Sequence, residues 1–245
     1  MPTAPNLEGY LSAVIEEGLY PNRGNLQFHL KTLFKGIALE NRRVLDVGGG
    51  SGLHSFYAAC MGAKEVVCLE PETEGSRSGM GTKFRKLGGI LGYNQVKFQP
   101  VTFQAFDPAE KQFDIILLHN SINHLDETAC INLLNDKASK AIYMDIFSKL
   151  SLLASSGAKL IVCDCSRYNF FALLRVKNSF APTIEWHKHQ APEVWVDLLS
   201  KVGFTSPRIR WTSFNTLRSP GRVLLGNQLL SYFLRSDFHF TMEKP

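Results

Sequence analysis

Ten residues, Arg43-Val44-Leu45-Asp46-Val47-Gly48-Gly49-Gly50-Ser51-Gly52, narrow the choice of fold more than any other stretch of this chain. A short apolar run carries one acid, Asp46, and then breaks into a turn in which four of five residues are glycine. The helical pattern of His54–Met61 follows at once. A strand, a glycine turn and a helix in direct succession bring backbone amides close to a ligand. Glycine is needed because a Cβ would obstruct both the tight turn and the ligand's approach. Asp46, Gly48, Gly49, Gly50 and Gly52 are therefore the first candidate binding residues.

Strand and helix patterns alternate behind this unit. Strands are expected at Arg43–Val47, Glu65–Glu70, Val96–Phe103, Phe113–Leu118 and Lys159–Asp164. Helices are expected at His54–Met61, Ser76–Leu87 and, as one long tract, about Glu127–Ala154. Repeated β-α pairs predict a parallel, doubly wound α/β sheet with helices on both faces, and ligands beyond the carboxyl ends of its strands. One or two helices, broken near Pro21 and Gly24, precede it. The segmentation is a helical cap over residues 1–42 and a main domain over 43–245. The aromatic and basic segment Ser166–Pro182 reads as an inserted helix over the substrate side, the insertion spanning about 166–190. A helix at Pro192–Val202 capped by Gly203, strands at Arg208–Trp211 and Phe238–Met242, and an apolar helical stretch at Val223–Leu234 complete the pattern.

Composition excludes several classes. Hydrophobic content of 44% and charged content of 20% in 245 residues are ordinary globular values. The formal charge of +5 is too small and too dispersed for a nucleic-acid surface. No apolar run reaches the roughly 18–20 residues of a membrane span, and Met1–Pro5 lacks a secretory pattern. Cys60, Cys68, Cys130, Cys163 and Cys165 lie in apolar patterns without zinc-knuckle spacing, so reduced thiols in a cytoplasmic protein, and no metal, are expected.

Asp46-Val47-Gly48-Gly49-Gly50-Ser51-Gly52 resembles the first motif of the class I S-adenosylmethionine-dependent methyltransferases, D-x-G-x-G-x-G. A dinucleotide fingerprint, G-x-G-x-x-G, started at Gly48 would put Leu53 where its last glycine belongs. Later landmarks follow in the same order: Glu70 ending the second strand, Phe113-Asp114 opening an apolar fourth strand, and Gly157–Val162 as the turn and fifth strand. The resemblance covers roughly Val44–Asp164. It implies a Rossmann-like, mostly parallel seven-stranded sheet with an antiparallel last strand, and S-adenosylmethionine as cofactor. It also implies that Glu70 accepts hydrogen bonds from the ribose hydroxyls, that Thr102 and Phe103 lie near the adenine, and that His119 lines the cofactor pocket. Thr102 stands where many members carry an acid, and Phe103 reads equally as core.

A histidine near the reacting centre suits general-base work, its pKa lying near neutrality. His124, just after the fourth strand, is the first choice, and His187, which flanks Lys188 together with His189, the second. The segment His119-Asn120-Ser121-Ile122 lacks the proline and aromatic residues of base-amine methyltransferases. The expected acceptor is therefore an O or N atom of a small molecule, apolar or aromatic in character, and not nucleic acid. Val223–Leu234 reads as sheet packing or the face of a homodimer. A non-catalytic cofactor-binding subunit and a NAD(P)-dependent oxidoreductase are the rival readings.

Overall fold

A computed structural model describes residues 6–71, 79–212 and 214–245. The chain divides into two compact units, residues 1–118 and 119–245. In the first, α1 (Leu7–Glu16) and α2 (Arg23–Leu33) precede β1 (Arg43–Val47), α3 (Leu53–Cys60), β2 (Glu65–Leu69), α4 (Met80–Leu91), β3 (Val96–Gln99) and β4 (Phe113–His119). β4 ends on the first residue of the second unit. There follow α5 (Glu127–Asn132), α6 (Lys137–Leu153), β5 (Ala154–Cys165), α7 (Phe170–Leu174), α8 (Pro192–Lys201), β6 (Thr205–Trp211), α9 (Arg218–Leu225), α10 (Gln228–Tyr232) and β7 (Asp237–Glu243). The strands form one mixed sheet in the order β3-β2-β1-β4-β5-β7-β6.

Within the first unit β1 is central. It pairs in parallel with β2 on one side and β4 on the other, Leu45 lying opposite both Val67 and Ile116. Strand order therefore reverses between β1 and β4, and in open α/β sheets the ligand crevice lies at such a reversal. Strands buried on both faces carry continuous apolar runs. Val44, Leu45, Val47 and Ile115–Leu118 are all buried accordingly. Asn6 and Asn22 cap α1 and α2 through their side-chain oxygens, which is why both helices start where they do.

In the second unit β7 runs antiparallel to both β5 and β6. Its core gathers Tyr143 and Phe147 of α6 around Trp195 of α8, with ring centroids 5.1–6.0 Å apart. Trp195, Leu198 and Leu199 are buried at i, i+3 and i+4, the stripe that fixes which face of α8 turns inward.

Several boundaries differ from the expectation. The tract Glu127–Ala154 is two helices, because the Asp136 carboxylate accepts from the amides of Ala138 and Ser139 and starts α6 afresh. Ala154–Ala158, read as helix end and turn, is instead the opening of β5, the Gly157 amide donating to the Lys244 carbonyl. The inserted helix shrinks to α7, five residues closed by Arg175 in the left-handed region (φ 56°) and followed by turns. Val223–Leu234 is interrupted at Gly226-Asn227, where Asn227 caps α10. Ser76–Ser78, the expected start of the α4 helix, and Met1–Pro5 lie outside the described residues. Among the described residues no helix is long and apolar enough to cross a membrane.

Candidate functional site

Gly48, Gly50 and Gly52 all take positive φ (71°, 58° and 80°), a region that strains any residue with a Cβ. Their amides are not bare. Gly48 and Gly49 both donate to the Leu69 carbonyl (2.8 and 3.1 Å), and Gly52 donates to the Gly49 carbonyl (2.9 Å). The loop is thus a shaped cradle stitched to the end of β2. Gly49 has ordinary φ but no room: a Cβ there would lie 2.5 Å from Cys68 Sγ and 2.7 Å from Asp46 Oδ2. At Gly52 a Cβ would meet the Phe84 ring at 2.5 Å.

Glu70 joins this loop. Twenty residues from Gly50 in sequence, its Oε2 accepts the Gly50 amide at 2.9 Å, and the residue is buried. The two landmarks read separately from the sequence are therefore one structural unit, a carboxylate resting on the glycine turn.

Asp46 lies beneath the turn, fully buried. Its Oδ2 accepts from Ser55 Oγ at 2.7 Å, and its Oδ1 has no hydrogen-bond partner among the described residues. Burial pushes its carboxyl up to about 6, opposed by the Ser55 hydroxyl and reinforced by the charge of Glu70. A folded-state value above that of the unfolded chain means that the folded protein holds this proton more tightly. The site therefore costs nothing well below pH 4, costs progressively more from about pH 4 to 6, and costs a constant amount above that. Two pKa units correspond to about 3 kcal/mol. Asp46→Asn keeps the volume and an acceptor for Ser55 and abolishes the ionisation. Urea unfolding should show the variant more stable than the parent at pH 8 by about 1–3 kcal/mol, with the gap closing near pH 4. A gap independent of pH would show that this carboxylate is not the source.

The residues expected near the adenine part company. Phe103 is buried in the core, whereas Thr102 is exposed and its Oγ1 accepts the Ala105 amide at 3.2 Å in a turn. The sequence reading passed over a pair in the same unit: His29 of α2 and His54 of α3 meet Nε2 to Nε2 at 2.9 Å, with Tyr20 stacked on His29. Burial lowers His29 to about 4, so one neutral ring donates to the other. Nothing in their spacing of twenty-five residues announces the contact.

The second unit holds a cavity of about 280 Å³ at the carboxyl end of β5. Asn123 and His124 enter it from a 3-10 turn after β4, Asp164 and Cys165 from β5, His189 from just before α8, and Asp237 from β7. His124 Nδ1 lies 2.5 Å from Glu127 Oε1, and His189 Nδ1 lies 2.9 Å from Asp164 Oδ1. Burial pushes Asp237 up to about 6, partly offset by Arg235. His187 is exposed and lies outside this cavity; it borders a larger one, about 490 Å³, with Arg167, Phe171, Arg175, Lys177 and Trp186. His119 is half-buried at the end of β4. Of the two histidines singled out for chemistry, the structure thus brings His124 together with His189, not with His187. Asp164 and Asn123 were missed; a buried acid ending an apolar strand was the available signal.

No family model matches the sequence, and no curated protein matches it significantly. Solved structures do match. An S-adenosylmethionine-dependent methyltransferase of Mesorhizobium loti superposes with a TM-score of 0.61 at 13% identity, covering 90% of this chain and 98% of its own. One from Aquifex aeolicus gives 0.59 at 15% identity, covering 94% and 95%. This chain has the class I S-adenosylmethionine-dependent methyltransferase fold. Haemonchus contortus phosphoethanolamine N-methyltransferase 2, held with phosphomonomethylethanolamine and S-adenosylhomocysteine, shares the methyltransferase fold at a TM-score of 0.59 and 15% identity, covering 96% of this chain and 57% of its own. The expected sheet, mostly parallel with an antiparallel last strand, is the one found.

Proposed function

We propose that the protein is an S-adenosylmethionine-dependent methyltransferase acting on an O or N atom of a small molecule. The observation that carries this reading is the Gly50 amide on the Glu70 carboxylate beside the β1–β4 reversal. The residues present suit the cofactor. At Gly50 the space beside the backbone is open, the nearest atom to a Cβ there being Met80 Sδ at 3.9 Å, so a ligand can approach the turn, and a carboxylate at the end of β2 accepts hydrogen bonds from vicinal hydroxyls. Gly48–Gly52 and Glu70 would hold the adenosyl group, with Asp46 supporting the turn from below; Thr102, Phe103 and His119 remain proposed neighbours. When bound, the sulfonium supplies an electrophilic methyl group.

The chain's own part is then to position the acceptor and take its proton. Orientation alone is worth about 7–11 kcal/mol in well-arranged systems, and a base adds roughly 10²–10⁴-fold where a proton must leave. His124, held through Nδ1 by Glu127, is the proposed base; His187, on the basic and aromatic cavity, is assigned to acceptor contact. Residues 1–42 are assigned the role of a helical cap.

Thermal-shift titration separates this reading from an oxidoreductase. S-adenosylhomocysteine at about 100 times its Kd should stabilise the protein by about 2.7 kcal/mol, while NADPH should leave the midpoint unmoved. Stabilisation by NADPH alone would overturn the assignment.

A further inference from the structure

The cavity at the end of β5 has a specific chemical bias. Asp164 is 4% exposed; its Oδ1 pairs with His189 and its Oδ2 has no hydrogen-bond partner among the described residues. Asn123, wholly buried, lines the same cavity with its Oδ1 also unpartnered. A buried acceptor left without a donor is destabilising, more so when charged. Two such acceptors on one cavity call for a ligand that brings donors.

The surrounding charges sharpen this. Lys188 lies 3.1 Å from Glu127 and 2.8 Å from Glu185, and Arg235 lies 3.2 Å from Asp237. Each cation on the lining therefore already has a carboxylate, though Arg235 Nε makes no hydrogen bond to Asp237 and is the one unmet donor against these two acceptors among the described lining residues. Asp164 is the acid that no lysine or arginine meets among the described residues, its one ionic partner being the His189 imidazole. An anion would be repelled by Asp164, Asp237 and Glu185 together. A quaternary ammonium would meet the charge but has no N–H to give. We infer that this cavity binds the primary or secondary ammonium group of a small molecule, Asp164 Oδ2 and Asn123 Oδ1 accepting its N–H donors. At about 280 Å³ the cavity sits at the small end of ligand pockets, which fits a small amine.

Asp164, Cys165 and His189 also group closely enough to hold a metal ion. Burial, reinforced by the charges of Asp164 and Asp237, pushes the Cys165 thiol well up, which keeps it protonated and a poor ligand. That favours the ammonium. That the bound amine is the methyl acceptor rests on the function proposed above; that the cavity takes an ammonium does not.

The test uses the full chain and four probes: phenethylamine, its neutral analogue 2-phenylethanol, its trimethylammonium derivative, and zinc chloride. Binding is read by calorimetry and thermal shift, with S-adenosylhomocysteine titrated in parallel. Phenethylamine should bind at least tenfold more tightly than either organic analogue. Asp164→Asn, and independently Asn123→Ala, should each weaken it at least tenfold while leaving S-adenosylhomocysteine affinity within about twofold. Equal binding of the alcohol or the trimethylammonium compound overturns the site. So does an unchanged amine affinity in both variants, or zinc binding that displaces the amine and is lost in Asp164→Asn. If S-adenosylhomocysteine binds and phenethylamine does not, this inference fails and the methyltransferase reading stands. Amine binding without S-adenosylhomocysteine binding gives the reverse.

Discussion

Gly49→Ala should abolish detectable S-adenosylhomocysteine binding and lower stability by about 2–3 kcal/mol, the upper range for forcing a methyl into a packed site. The new Cβ would lie within 2.7 Å of two buried side-chain atoms, Cys68 Sγ and Asp46 Oδ2, neither of which has a flexible stem to swing away. Relief must come from the turn itself, which would shift the Gly48 and Gly49 amides off the Leu69 carbonyl. Gly50→Ala is the control. Its φ of 58° is strained for alanine, but the nearest atom to its Cβ is Met80 Sδ at 3.9 Å, so the cost should be about 1 kcal/mol. Urea unfolding and calorimetry on both variants check the pair. If Gly49→Ala is the milder of the two, the cradle is not as tightly closed as its geometry indicates.

Glu70→Gln should weaken S-adenosylhomocysteine binding about 10- to 100-fold and change thermal stability little. The glutamine amide oxygen can still accept the Gly50 amide, so the turn keeps its tie to the end of β2. What is lost is the charge on the acceptor proposed for the ribose hydroxyls. Hydrogen bonds to charged groups contribute roughly 1.5–3 kcal/mol, against about 1 kcal/mol for neutral ones. Calorimetric titration reads the affinity, and a parallel melt shows whether the fold is intact. Unaltered affinity in a folded variant would remove Glu70 from the donor site, and with it the observation on which methyl transfer is proposed.

The strand–turn–helix unit around Gly48–Gly52 was legible because its signals are local. An apolar run, a glycine cluster that alone tolerates positive φ, and a following helical period all lie within nineteen residues, 43–61. Elements whose ends depend on a single side chain were less legible. Aspartate is favoured at helix N-caps but also stands on exposed helix faces, and only the hydrogen bonds of Asp136 to Ala138 and Ser139 reveal that it restarts α6. The segment after β5 carries apolar residues at helical spacing, yet Leu173, Leu174, Val176 and Phe180 are exposed, so the burial that would sustain a long helix is missing.

From the sequence alone came the kind of fold, the place of the glycine turn, and the acid that closes the second strand, since each is written in neighbouring residues. Tertiary structure alone decided that Glu70 rests on Gly50, that the turn's amides are spent on Leu69, and that Asp164 meets His189 while Asn123 shares their cavity. Those pairings join segments far apart in the chain. Local propensity carries no information about which distant donor will reach a buried acceptor, or about which acceptor will be left without one.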